Sequence, residues 1–222
     1  MTPVVLAVDT VGRAAGVALT AGDLTVTRDL GERGGHAEAL LQAVLDLLSE
    51  SGHDWKDIDL LAVAEGPGSF TGVRVGVSFV LGVSDARGIR AVGVGSLDTL
   101  ARGCYDANGL DSGTYVIASM DVRRGEVAMA RFRLHPDRGL SSSMDPALVS
   151  LSDPGPTPPP DTALAGDGAL FLWPEQRTLL RWPGTGPERA LAVARVARDD
   201  AASLKPPVPR YARPPQTPER RP

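Results

Sequence analysis

Val4-Val5-Leu6-Ala7-Val8-Asp9 near the start of the chain and Val116-Ile117-Ala118-Ser119-Met120-Asp121 in its middle share one pattern. Each is a short apolar run that ends in an aspartate, turns within a few residues and returns through a second apolar run. Runs of this length bounded by turn residues read as buried strands. Two copies of strand–Asp–turn–strand predict a duplicated α/β protein with a cleft between its halves. Asp at a strand end is also a common turn former, so the echo by itself assigns no chemistry.

Working outward from the first copy, Ala14 to Thr20 and Leu24 to Leu30 read as two further strands joined by Gly-containing turns. Ala37, Leu40, Leu41, Val44, Leu45 and Leu48 recur at helical spacing, and Gly52 supplies a stop. Asp59 to Ala64 and Ile89 to Val94 are buried-strand candidates. The apolar segment between them, through Ser84, is rich in β-branched residues, yet its length and position predict a crossover helix. Ser96 is placed to cap a short helix carrying Leu97, Leu100 and Ala101.

Around the second copy, Arg123-Arg124-Gly125-Glu126 turns the chain and Val127 to Leu134 returns it. Weaker elements follow near Ala163 to Leu172 and Leu179 to Trp182. A last helix is expected from about Pro187 to Leu204, with proline well placed in its first turn. The expected organisation is an N-terminal domain over 1–103, a smaller domain over 104–204 whose last helix packs back on the first, and a Pro/Arg-rich tail over 205–222.

Composition narrows the function classes. With 42% apolar residues in 222 there is ample core material, and a net charge of −4 argues against a strongly basic nucleic-acid binder. That −4 is uneven: residues 1–204 carry −8 and the tail +4. Cys104 is the only cysteine, which fits a reducing compartment. No secretory leader pattern opens the chain, and Arg74, Gly76, Ser78 and Gly82 break the longest apolar stretch, so a cytoplasmic protein without a membrane span is expected. His36, His53 and His135 are scattered without HxxH, HxxxH or CxxC spacing, so no metal site is expected. No G-x-S-x-G elbow is present, and no carboxylate pair divides into acid and base.

Gly66-Pro67-Gly68-Ser69-Phe70-Thr71-Gly72 is the sharpest local signal. Backbone N–H groups opening a helix can cradle an anion. The spacing is one residue off the dinucleotide fingerprint, however, and no Walker Lys-Ser/Thr follows. The other reading is a tight turn that lets helix and strand approach closely. Gly72, Gly76 and Gly82 then lie inside a helix, where each costs ~1 kcal/mol relative to alanine. Close packing offsets that cost, against the chain's own sheet or against a partner. His36, opening a helix, is an anchor, a base or a plain surface histidine. Arg123, Arg124 and Glu126 read as a solvated hairpin tip.

Asp9-Thr10, His36 before a leucine-rich helix, Gly66 to Gly76, Asp121-Val122-Arg123-Arg124-Gly125-Glu126-Val127 and Pro209-Arg210-Tyr211-Ala212-Arg213 together resemble the bacterial TsaB (YeaZ) family, in the family's order and over nearly the whole chain. The resemblance implies a two-domain actin/sugar-kinase-like fold, with duplicated mixed sheets flanked by helices. It implies a role in making threonylcarbamoyladenosine next to the tRNA anticodon, as a scaffold or activator and not as the catalyst. The implied partners are the homologous transferase TsaD, the small ATPase TsaE, a second copy as homodimer, and tRNA through the complex. The implied contact surface comprises His36, Leu40, Leu41, Val44, Gly72, Val73, Arg74, Gly76, Val77 and Val80. Gly66, Pro67, Gly68, Ser69, Phe70 and Thr71 form the family turn. Asp9, Thr10, Asp121 and Arg124 would line a vestigial nucleotide cleft. No intrinsic cofactor is expected, with ATP or ADP held only weakly or within the complex. The alternative is a nucleotide-dependent phosphotransferase of the same superfamily, acting through Asp9 and Asp121. Arg210, Arg213, Arg220 and Arg221 in the tail read as tRNA-phosphate contacts or as a solvated terminus. Departures from the family are Leu40-Leu41-Gln42 without the usual proline, Ala128 in place of an aromatic, and a Pro-rich stretch over 136–186 with little to align.

Overall fold

The computed structural model describes residues 2–32, 36–135, 139–144, 146–176 and 180–213. The first sheet contains β1 (Val5–Asp9), β2 (Ala14–Ala21), β3 (Leu24–Glu32), β4 (Leu60–Ala64) and β5 (Ala91–Val94), in the order β3-β2-β1-β4-β5. β1 pairs antiparallel with β2 and parallel with β4, so the sheet is mixed. Helices α1 (His36–Ser51) and α2 (Phe70–Arg87) cover one face. Helices α3 (Ser96–Asn108) and α4 (Gly186–Asp200) form the layer on the other side, α4 lying along β1 and β2. β1 and β4 are therefore buried along their whole length, which is why they read as unbroken apolar runs.

The second sheet repeats the plan. β6 (Tyr115–Asp121), β7 (Glu126–His135), β8 (Gly139–Ser142), β9 (Ala147–Ser150), β10 (Ala163–Ala165) and β11 (Arg181–Trp182) run β11-β10-β6-β7-β8, with β9 also on β7. β6 is antiparallel to β7 and parallel to β10, as β1 is to β2 and β4. The two aspartate strands thus head duplicated halves as predicted, and the duplicated mixed sheets are the actin/sugar-kinase-like arrangement that the family resemblance implies. α3 packs on β6, so α3 and α4 sit between the two sheets. The outer face of the second sheet has its own small core, Ile117, Val127, Met129, Leu164, Leu172 and Trp173, beneath a 3-10 turn at Asp167–Leu170.

α2 forms despite its valines because both ends are closed. Ser69 Oγ accepts from the Gly72 N–H at 3.3 Å, and Gly88, at φ 67°, ends the helix with its N–H on Ser84 O. Val73, Val77 and Val80 are fully buried, each contributing about 1.5–3 kcal/mol. α4 opens with a reciprocal capping box between Thr185 and Glu188. Ser96 is not the cap of α3. Gly95 takes that position, and the Ser96 hydroxyl instead accepts the Gly66 N–H at 3.1 Å, tying α3 to the glycine-rich turn. Residue 179, the start of one weak element, lies outside the described residues.

Residues 205–213 are no loose tail. Gly93 N–H donates to Lys205 O, and Arg210 N–H donates to Glu65 O at 2.7 Å, so the segment continues along the first sheet.

Candidate functional site

The turns after the two aspartate strands face each other across a cleft of about 330 Å³, lined by Gly12, Arg13, Ser69, Phe70, Asp121, Arg123, Asp167, Tyr211 and Arg213 among others. On the first wall, Asp9 is fully buried behind the cleft. Its Oδ1 accepts the Val11 N–H at 3.1 Å and its Oδ2 meets Arg189 Nε at 3.4 Å. Arg189 comes from α4, is itself buried, and also donates to Gly184 O and Ala14 O. Gly12 passes so close that a Cβ would collide with that guanidinium. Thr10 is likewise committed, its hydroxyl donating to Gly72 O at 2.7 Å. Asp9 and Thr10 are thus structural here: the carboxylate is neutralised by a buried cation and is not free to hold a metal or a phosphate-bound ion.

On the second wall, Asp121 Oδ1 accepts the Arg123 N–H at 2.8 Å, and the Asp121 N–H donates to Asp167 Oδ1 at 2.8 Å. Burial pushes the Asp167 carboxyl above its ordinary range, and the Asp121 N–H and the Arg189 charge only partly oppose this. Arg123 and Arg124 both adopt left-handed backbone conformations, φ 69° and 62°, followed by Gly125 at 72°. Arg123 lines the cleft; Arg124 stands at the exposed tip beside it. Of the four expected cleft residues, the structure places Asp121 on the wall, Arg124 at the rim, and Asp9 and Thr10 behind it.

The segment ending in Pro209-Arg210-Tyr211-Ala212-Arg213 straps the two halves together. Arg210 pairs with the buried Glu65 at 2.6 Å, and Glu65 also accepts the Val208 N–H. Tyr211 stacks on Phe70 with ring centroids 4.8 Å apart and accepts from Arg74 Nε at 3.0 Å. Arg213 donates to Val122 O and Arg123 O and pairs with Glu126 on the second half. Arg210 and Arg213 are therefore engaged within the chain; Arg220 and Arg221 lie outside the described residues. Composition gave no signal for Glu65, Arg189 or Asp167. The motif at Pro209 to Arg213 falls within the strap, though the sequence reads it as part of a tail.

The outer helices present a second surface. Leu40, Val44, Gly72, Val73, Gly76, Val77 and Val80 turn into the chain's own core, which corrects their expected place on a partner surface. Helical periodicity gives the sheet one stripe of each helix and leaves a partner only the other. Leu41 and Arg74 are on the outer stripe; the His36 side chain lies outside the described residues. Leu41 (49% exposed) and Leu45 (41%) follow each other one turn apart, and Leu81 is also exposed. A shallow groove lined by Leu40, Arg74, Val75, Ser78 and Phe79 runs between α1 and α2. Cys104 is buried and its thiol is pushed up to about 12, so it is no nucleophile. Among the described residues no three His, Cys, Asp or Glu side chains converge on a metal position, and no helix is long and apolar enough to cross a membrane.

Duplicated mixed sheets about a cleft whose first aspartate is locked to an arginine define a two-lobed, actin/sugar-kinase-like protein. A family model described as "TsaD: tRNA N6-adenosine threonylcarbamoyltransferase" matches residues 33–173. An uncharacterized protein of Mycobacterium tuberculosis (strain ATCC 25618 / H37Rv) is 35% identical over 222 residues, covering 95% of this chain and 92% of its own. The tRNA threonylcarbamoyladenosine biosynthesis protein TsaB of Escherichia coli (strain K12) is 38% identical over 130 residues, 58% of this chain and 54% of its own length. The chain belongs to the TsaB (YeaZ) family. It spans about half the length of the curated TsaB relatives it matches. YeaZ from Pseudomonas aeruginosa superposes with a TM-score of 0.73 at 26% identity, covering 90% of this chain and 94% of that one. An uncharacterized protein described as similar to the peptidase YeaZ from Pseudomonas aeruginosa gives 0.80 at 26% identity, covering 95% and 100%.

Proposed function

We propose that this chain is a non-catalytic subunit of tRNA threonylcarbamoyladenosine synthesis, which binds and activates a transferase of the TsaD kind for modification of the adenosine next to the anticodon. The observation that carries this is the outer face of α1 and α2, where Leu41, Leu45 and Leu81 stand exposed and a shallow groove lined by Arg74, Val75, Ser78 and Phe79 opens between the helices. Large apolar side chains left exposed on the outside of otherwise well-packed helices suit a protein-binding surface. The cleft supports the non-catalytic part. Asp9 is paired with Arg189 and Thr10 is hydrogen-bonded to Gly72, which leaves the superfamily's first aspartate turn nothing with which to hold a nucleotide's metal. For the same reason the phosphotransferase alternative finds no support in the side chains.

Because the chain matches a TsaD-type model over 33–173, the proposed partner is a homologue of it. Two related chains then meet through equivalent helix pairs, and a second copy of this chain takes the transferase's place when the transferase is absent. The TsaE ATPase joins the assembled pair in the cytoplasm, and tRNA is bound by the complex. The test is co-purification of the transferase with Leu41→Asp/Leu45→Asp, a variant that changes only exposed positions. Loss of the partner from a folded variant is expected. Undiminished co-purification would remove the interface from this face.

A further inference from the structure

Among the described arginines, three side chains have no partner: Arg13, Arg123 and Arg124. Every other one is engaged by a carboxylate, a hydroxyl, a backbone carbonyl or an aromatic ring. The three sit together in the architecture. Arg13 is on the turn after β1, Arg123 and Arg124 are on the turn after β6, and Arg13 and Arg123 line the same cleft. We propose that Arg13, Arg123 and Arg124 form a contact site for an RNA phosphodiester backbone, with tRNA as the ligand. This rests on the tRNA-modification reading given above.

Four observations support the assignment. First, among the described residues no carboxylate forms an ion pair with any of the three. Asp9 is paired with Arg189 and Glu126 with Arg213, while Asp121 and Asp167 line the cleft and accept the Arg123 and Asp121 N–H groups. Second, residues 1–204 carry a net −8, so three adjacent unpaired cations run against the charge of the body. Third, Arg123 and Arg124 are held in left-handed backbone conformations that bulky residues rarely adopt. The hairpin is fastened there from both sides, by Asp121 on the Arg123 N–H and by Arg213 on Val122 O and Arg123 O. The consequence is a fixed backbone from which the two exposed arginine side chains project at the cleft rim. Fourth, the cleft is a poor place for a free nucleotide. Its carboxylates Asp121 and Asp167 are each engaged by a backbone N–H, and Phe70 and Tyr211 stack on each other and not around an open slot. Arginine forks on an exposed rim suit phosphate oxygens, which need no metal and no base pocket.

The experiment is a tRNA titration at several salt concentrations, with the chain alone and with the transferase pair. It compares wild type, Arg13→Gln/Arg123→Asn/Arg124→Asn and the corresponding triple lysine variant. Asparagine tolerates the left-handed backbone, so the hairpin is kept. The neutral variant is expected to bind roughly tenfold more weakly, with a slope of log affinity against log salt smaller by about two. The lysine variant should keep most of both. Unchanged affinity and slope in the neutral variant would overturn the proposal. So would loss of ATP–magnesium binding with tRNA affinity intact, which would assign the arginines to a nucleotide. Failure of the wild-type pair to assemble would refute the scaffold reading alone, because the titration of the isolated chain still decides this one.

Discussion

A Cβ at Gly76 would lie 2.5 Å from Thr10 Oγ1 and 3.1 Å from Val63 Cγ2, while Gly72 lies directly against Thr10 O. The spacing of the two glycines announced a close approach, and the neighbour turned out to be the chain's own first sheet. A one-dimensional sequence has no means of saying which surface a glycine stripe meets. Gly76→Leu should therefore lose at least about 3 kcal/mol of stability by overpacking, read from urea unfolding. A folded Gly76→Leu protein of normal stability would contradict the packing described. Asp9 makes the same point about chemistry. The strand-end aspartate was visible, but its partner Arg189 lies 180 residues away and shares no motif with it. Arg189→Met should strand the buried Asp9 charge and destabilise by about 3–5 kcal/mol, again checked by urea unfolding. Asp167 adds a pH dependence. Its carboxyl is raised above 3.8 by burial, so the folded state holds that proton more firmly than the unfolded chain. Its contribution is complete below the ordinary value and is lost as pH rises through the raised one. Asp167→Asn should gain stability relative to wild type as pH rises from about 4 through the raised value, compared by unfolding midpoints.

Among the elements, those of the first half were readable because each is long enough to show its period. α1 and α2 run for 16 and 18 residues, and β1 and β4 are buried, apolar runs that each lead into a glycine-containing turn. β10 and β11 have three and two residues, too short for any alternation to register, so the far side of the second sheet stayed indistinct. The segment at 205–213 was misjudged for a different reason. Proline and arginine content reads as a solvated terminus, whereas Glu65, Phe70, Arg74 and Glu126 supply it with fixed partners across both halves. Glu65→Ala removes the acceptor of Arg210 and of the Val208 N–H. Hydrogen exchange should then quicken over 205–213 while β1 and β4 stay protected. Equal protection in the variant would show that the strap does not depend on Glu65.

For the whole molecule, duplication explains what was found and what was spent. Each half carries the strand–Asp–turn–strand unit, but the first copy has committed its aspartate to Arg189 and the second has committed Asp121 to its own hairpin. What remains outward-facing is an apolar helix pair on the first half. The interface list drawn from resemblance falls on these two helices and mostly on their inner stripes, because motif positions record the packing a turn requires as well as the contacts a partner makes. The central claim is that this chain serves a transferase through that face without catalysing the transfer. Reconstituted threonylcarbamoylation of tRNA tests it most directly, with the transferase and ATPase supplied and this chain added as wild type, as Leu41→Asp/Leu45→Asp, or left out. Wild type should restore modification, the double variant should behave as though the chain were absent, and the chain alone should give none. Full activity with the double variant, or modification by the chain without the transferase, would contradict the account.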